Sequence, residues 1–191
     1  EDGCESHSSE FNAGCIETEH LGHTDHGGDS VITEIEILNH IHENADMGKV
    51  LAVCTSEKKG TQKEDVGTIE VIEDYGVKGD AHAGKWHRQV SLLSYEKIEE
   101  FRNRGAQVEF GAFGENFVVE GYDFKTLPIG SRFKCNDVIL ELTQIGKECH
   151  QGCAIYQTMG DCIMPREGVF CKVLHGGTVK NGDEFTLIEE A

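Results

Sequence analysis

Between Gln144 and Lys172 the chain reads QIGKECHQGCAIYQTMGDCIMPREGVFCK, and these 29 residues hold four cysteines, a histidine, two lysines and an arginine. A cysteine is a nucleophile or a metal ligand only as the thiolate, which nearby cations favour. Cys149 has Lys147 two residues before it and His150 directly after, while the adjacent Glu148 opposes ionisation. Activating Cys149 therefore requires a fold that brings Arg166 or Lys172 close. In such a basic pocket the thiol would act as nucleophile, sulfur carrier or soft-metal ligand; the alternative is a buried, inert cysteine. A zinc site would draw on Cys149, Cys153, Cys162 and Cys171 with His150 or His175. Structural zinc usually takes paired ligands about two to four residues apart, a spacing met by Cys149 and Cys153, whereas eight residues separate Cys162 from Cys171.

Two further groups carry chemistry. Glu73 to Ser94, EDYGVKGDAHAGKWHRQVSLLS, interleaves Gly76, Gly79 and Gly84 with Lys78, Asp80, His82, His87 and Arg88. Glycines suit positive φ or close approach to a ligand; histidines shuttle protons or bind metal, and an arginine grips phosphate with two hydrogen bonds. The bland reading is a surface loop with a satisfied His–Asp pair. Glu115 and Asn116, in the GEN turn, offer a carboxylate and an amide to a heterocycle, or simply cap their own backbone. No Walker-type phosphate loop, dinucleotide fingerprint or Gly-x-Ser-x-Gly elbow is present.

The elements that must position these residues follow from composition and pattern. A chain of 191 residues suits one domain with a proper core. The net charge of −18 is uneven: residues 1–46 hold twelve acidic side chains and no Lys or Arg, leaving −6 for the rest. A nucleic-acid partner is disfavoured, because phosphate neutralisation needs a basic face. No apolar run is long enough to span a membrane and no signal-peptide pattern opens the chain, so a soluble, cytoplasmic protein with its cysteines as thiols is expected. Glu1 stands where a start methionine would, so either residues precede it or Met47 opens the natural chain. Residues 1–46 form an acidic leader with six of the ten histidines. Its first 30 residues are expected to be disordered, and a solvated tail is favoured over a metal-capturing tract.

From Met47 the chain reads as one domain, 47–191. Short strands are expected at Lys49–Val53, 67–72, Gln89–Leu93 and after FGEN, with Ser56–Asp65 a polar loop lacking any apolar residue to bury. A helix begins at the N-cap Ser94, aligns Tyr95, Ile98 and Phe101 on one face, and stops at Gly105. Arg132–Cys135 and Val138–Ile145 flank an Asn136-Asp137 turn and predict a hairpin. Further strands are expected at Val169–Leu174 and Glu184–Ile188, and a short helix at Ala154–Met159. Ile129–Phe133 and Asn181–Phe185 echo one another as turns entering barrel strands. Many short strands with one or two helices predict a mainly β, mostly antiparallel β-barrel.

Taken together, VKGDAHAG with HRQVSLLS, FGENFVVEG, PIGSRF, ECHQGC and MPREGVFCKVLHGGTVKNGDEF resemble the MOSC domain family, named after the C-terminal domain of molybdenum cofactor sulfurase. The match covers nearly all of residues 47–191 in the family's order. The resemblance implies a barrel like that of pyruvate kinase and a role in handling the molybdenum cofactor (molybdopterin) or its sulfur. Cys149 aligns with the family's hallmark cysteine, which is proposed to carry persulfide sulfur in the sulfurases and ligates molybdenum in amidoxime-reducing enzymes. Lys78, Asp80, His82, Arg88, Glu115, Asn116, Lys147, Arg166 and Lys172 are the implied cofactor-binding residues, the basic ones suiting the pterin phosphate. The implied partners are a sulfur donor such as a cysteine desulfurase, or a molybdoenzyme. Two departures mark a stand-alone MOSC protein: there is no room for the pyridoxal-phosphate domain of the large sulfurases, and the acidic leader does not replace the extra N-terminal barrel of the amidoxime reducers. Sulfur transfer through Cys149 is the leading expectation. The alternatives are a molybdenum-dependent reductase of N-hydroxylated compounds and a non-catalytic cofactor carrier. Cys153 is either a resolving thiol for Cys149 or a core residue.

Overall fold

Apolar alternation sets the strands. Along Val138–Ile145 the buried residues Val138, Leu140 and Leu142 alternate with partly exposed ones, the period at which successive side chains leave opposite faces of a pleated strand. The computed structural model describes residues 47–148, 153–189 and 191. Among them the elements run β1 (Met47–Thr55), β2 (Glu64–Asp65), β3 (Thr68–Ile72), β4 (Gly76–Val77), β5 (Val90–Ser94), α1 (Tyr95–Asn103), β6 (Phe117–Glu120), β7 (Arg132–Cys135), β8 (Val138–Ile145), α2 (Ala154–Met159), α3 (Met164–Glu167), β9 (Val169–His175), β10 (Gly177–Lys180) and β11 (Glu184–Glu189).

Seven strands close a barrel in the order β1-β6-β5-β9-β8-β7-β11 and back to β1. Every seam is antiparallel except β5–β6. A parallel seam needs a long crossover, and the chain between β5 and β6 supplies it with α1. A second sheet, β10-β3-β4, contributes Ile69, Val71, Val77 and Val179 to the same core as the inward residues of the barrel. A separate apolar layer outside the barrel joins Ile98 and Phe101 of α1 to Leu93, Val118, Met164 and Phe170. The expected mainly β barrel is therefore observed, with the 132–145 hairpin intact and Asn136 at positive φ in its turn. The two echoed turns enter β7 and β11, which pair with each other. No helix among the described residues is long and apolar enough to cross a membrane.

Three local expectations change. Ser94 precedes α1 but its hydroxyl makes no cap bond and donates instead to Glu96 at 2.7 Å. The stretch read as a polar loop, 56–65, ends in β2 and buries Lys63 almost completely, at 1% exposure. The buried Lys63 ammonium is matched there by an ion pair with Asp80. Three elements, β4, α3 and β10, had no signal in the sequence pattern. The leader, residues 1–46, and Cys149 with His150 lie outside the described residues.

Candidate functional site

The site is built where β8, β9 and the loop before β5 meet. On β9, Phe170 lies opposite Gln144 of β8 and opposite Ser91 of β5. A register shift between Leu142 and Gln144 interrupts the β8–β9 ladder, and such bulges re-aim side chains. The Thr143 hydroxyl, at that shift, lies within hydrogen-bond reach of the carbonyls of both His87 and Phe170, which share its one proton, and so ties the 82–88 loop to the barrel wall. Just beyond β8, Gly146 has φ +68° and lies against the Pro165 carbonyl where a Cβ would not fit; its N–H donates to the Gly168 carbonyl at 2.7 Å. These contacts fix the backbone on either side of the loop.

Two cations pack against one aromatic ring there. The Arg88 guanidinium sits 4.6 Å from the Trp86 ring centre and 5.5 Å from that of Phe170, and Lys147 Nζ lies 5.9 Å from the same Phe170 ring. Aromatic faces attract cations without neutralising them. Among the described residues neither Arg88 nor Lys147 has an acidic partner, and Arg88 Nε is buried with no hydrogen-bond acceptor. Trp86 is held by its indole N–H, which donates to the His82 carbonyl at 3.0 Å. His87 meets Gln144 at 2.8 Å.

Beneath this loop, Asp80 anchors a buried polar network. Its carboxylate accepts from Lys63 Nζ (2.5 Å), Asn116 Nδ2 (3.2 Å) and the backbone N–H groups of Ser56 (3.2 Å) and His82 (2.9 Å). Burial alone would raise its pKa, but the hydrogen bonds from His82 and Lys63 outweigh it and hold the carboxyl well below the usual range. Burial in turn pulls the Lys63 ammonium down, against the pull of Asp80. Asn116 completes the network: it also donates to the Cys54 carbonyl and accepts from the Ser91 N–H and hydroxyl. A buried charge is tolerated only when paired and hydrogen-bonded, a condition met by both Asp80 and Lys63.

The remaining predicted residues go elsewhere. Glu115 is wholly buried; its two oxygens accept from the Gly111 and Phe113 N–H groups, and burial pushes its pKa up to about 7. Arg166 grips Asp161 with two hydrogen bonds of 2.8 and 3.1 Å, and Arg104 binds the same carboxylate. Lys172 Nζ lies 3.8 Å from Asp74, and Lys78 pairs with Glu70 at the surface. The described members of the zinc set are dispersed. Cys153 is exposed, Cys162 packs in the outer apolar layer, Cys171 lies inside the barrel, and the His175 ring meets the Asp137 carbonyl. Burial raises the Cys171 and Cys54 thiols far above their ordinary range and pushes Cys135 up to about 12, so these three are inert.

Of the predicted residues, the fold thus joins Asp80, His82 and Asn116 in one network and Arg88 with Lys147 in one cluster. Lys63, Gln144, Trp86 and Phe170 were missed. Trp86 alone had a signal, since an aromatic beside a histidine and an arginine in a glycine-rich loop offers a stacking wall. Two open clefts of about 430 and 400 Å³ run along residues 55–66 and 109–110, but neither includes Arg88, Lys147 or Phe170. The first is lined by Glu64, Asp65 and Glu109 against one cation, Lys63, which Asp80 already pairs, a balance that disfavours an anion. Arg88 and Lys147 differ from Arg166, Lys172 and Lys78 in having no carboxylate beside them among the described residues.

No curated protein matches the chain. Solved structures do. The YuaD protein from Bacillus subtilis superposes with a TM-score of 0.63 at 22% identity, over 73% of this chain and 94% of that one. YiiM from Geobacillus stearothermophilus gives 0.59 at 18% identity, over 74% of this chain and 75% of that one. YiiM from Escherichia coli gives 0.52 at 18%, over 75% and 71%. At these identities the likeness concerns the fold. The MOSC domain model matches residues 79–186, from the loop that carries Arg88 to the barrel's last strand, and the chain belongs to the MOSC domain family.

Proposed function

We propose that this domain binds the molybdenum cofactor at the Arg88–Lys147 cluster and passes sulfur as a persulfide on Cys149. MOSC domains are associated with that cofactor; binding and sulfur transfer by this chain are our reading. The observation that carries it is a pair of cations against one aromatic ring that have no acidic partner among the described residues, one of them with a buried Nε that has no acceptor among those residues. An oxyanion would satisfy that donor, and a guanidinium beside a lysine is well suited to phosphate, so the residues present fit the phosphate of a pterin cofactor. Lys147 stands two residues before Cys149 in the chain. When bound, the cofactor supplies a molybdenum centre able to accept sulfur or to exchange oxygen.

In the sulfur step, the Cys149 thiolate attacks the outer sulfur of a donor persulfide, a new S–S bond forms, and the donor's thiolate leaves. No oxidant is consumed. The donor is a cysteine desulfurase or a protein of like chemistry, and the recipient is a molybdoenzyme or its cofactor. Asp80, Asn116 and Lys63 serve this reading indirectly, by holding the loop that carries Arg88.

The test loads wild type and Cys149→Ser with sulfur from a desulfurase and free cysteine, then reads Cys149 by mass spectrometry. Wild type should gain one sulfur, the variant none, with the two equally folded. A variant that still passes sulfur at the wild-type rate sinks the proposal. Molybdenum and pterin content from a cofactor-producing host separates the alternative. If the variant keeps pterin but loses stoichiometric metal, Cys149 is a metal ligand and the reductase reading replaces sulfur transfer.

A further inference from the structure

We infer that His87 is the proton-handling side chain of this cluster, held by Gln144 in the form that leaves its Nδ1 free for the ligand. The inference rests on the cluster being the ligand site, and it starts from an amide whose orientation is determined. The Gln144 side-chain NH2 donates to the Gly146 carbonyl at 2.6 Å. Reversing the amide would set its oxygen against that carbonyl, two acceptors with no proton between them. Gln144 Oε1 therefore faces His87 Nε2 at 2.8 Å, and Nε2 must carry the hydrogen. In a neutral imidazole the proton acceptor is then Nδ1.

Among the described residues Nδ1 has no protein partner, and the side chain is exposed. The ring stands edge-on to Trp86, 6.1 Å between centres, and Trp86 is the same ring that stacks on Arg88. His87 thus borders the cations without belonging to the buried Asp80 network. Neutral, it accepts a proton from a ligand's N–H or O–H. Protonated, it adds a third positive charge to Arg88 and Lys147, while Gln144 continues to accept from Nε2. The titratable and charged groups on the elements around it are His82 with its partner Asp80, Lys85 and Arg88 on its own loop, Lys147 and Glu148 after β8, Glu141 on β8, and Lys172 on β9 with Asp74 beside it.

Two measurements on the full chain test this. In the ring-nitrogen NMR spectrum of histidine-labelled protein at pH 8, the signal lost in His87→Asn should be an Nε2–H tautomer in wild type. In Gln144→Leu it should become a mixture of tautomers. A wild-type Nδ1–H signal, or a Gln144→Leu spectrum unchanged from wild type, overturns the inference. The second measurement uses Trp86, the chain's single tryptophan, whose fluorescence reports sulfate binding. Sulfate keeps its charge between pH 5.5 and 8, so any change in affinity belongs to the protein. Wild type should bind about five- to tenfold more tightly at pH 5.5, and His87→Asn should bind equally at both pH values with the weaker affinity. A wild-type affinity independent of pH, or a variant that keeps the pH dependence, refutes the role of His87 while leaving the cluster as an anion site. Absence of sulfate binding by wild type at either pH refutes the cluster itself, and this inference with it.

Discussion

Replacing Asp80 with Asn isolates what the buried network contributes. The substitution keeps shape and removes one charge, leaving the Lys63 ammonium 1% exposed with no counter-ion. It also turns an amide NH2 toward donors, since the Lys63, Ser56, His82 and Asn116 nitrogens all point at this carboxylate. Breaking a buried ion pair by removing one partner costs about 3–5 kcal/mol. For a domain of this size each kcal/mol lowers Tm by about 2–4 °C, so thermal unfolding should shift down by about 6–20 °C. Adding Lys63→Met to Asp80→Asn removes the stranded charge and should restore part of the loss, a coupling of about 1–3 kcal/mol. Acid gives an independent check. Because the folded pKa of Asp80 lies below its ordinary value, its contribution is complete above about pH 4 and is lost as pH falls through the folded pKa. Urea titrations at pH 7 of wild type, Asp80→Asn, Lys63→Met and the double variant read the loss and the coupling, and the same titrations of wild type and Asp80→Asn carried below about pH 4 read the acid dependence. A single-variant loss under about 1 kcal/mol, or strict additivity of the two changes, would refute the account of Asp80 as the anchor of the loop.

Glu115 should act in the opposite pH direction. Its folded pKa of about 7 lies above the ordinary 4.5, so the native state holds the extra proton and stability should fall by up to about 3 kcal/mol as pH rises from 4.5 to 7. Glu115→Gln should flatten that slope in urea titrations, and an unchanged slope assigns the effect to another group. Arg88→Ala should weaken anion or cofactor binding about 10- to 100-fold, the loss expected for charge-assisted hydrogen bonds, measured as pterin retained on the purified protein; full retention moves the ligand site elsewhere. Lys78→Ala should leave both pterin retention and stability within about 0.5 kcal/mol of wild type, because its partner Glu70 is an exposed carboxylate. A large loss of pterin would instead return Lys78 to the site.

Much of the barrel was legible because strands declare themselves locally. The pattern placed β7, β8, β9, β11 and the short helix Ala154–Met159, and the structure adds that Cys153 and Gly160 cap that helix. β10 escaped because its four residues bury only Val179, too short a run to show a period. Lys63 escaped for a different reason. A lysine in a polar stretch reads as solvated unless its partner is known, and Asp80 is 17 residues away.

The sequence by itself determined the mainly β class, the family, and the supply of basic side chains from which a phosphate site could be made. It offered Lys78, Arg88, Lys147, Arg166 and Lys172 as candidates and looked first to Arg166, Lys172 and the 78–88 loop. Tertiary structure separated them by deciding which carboxylates come within reach: Glu70 meets Lys78, Asp161 meets Arg166, Asp74 approaches Lys172, and Arg88 and Lys147 meet the Phe170 ring instead. A carboxylate cancels a cation's charge and occupies its donors, whereas an aromatic face does neither. Residue type sets the charge a side chain carries, but only the packed neighbours determine whether that charge is still available to a ligand.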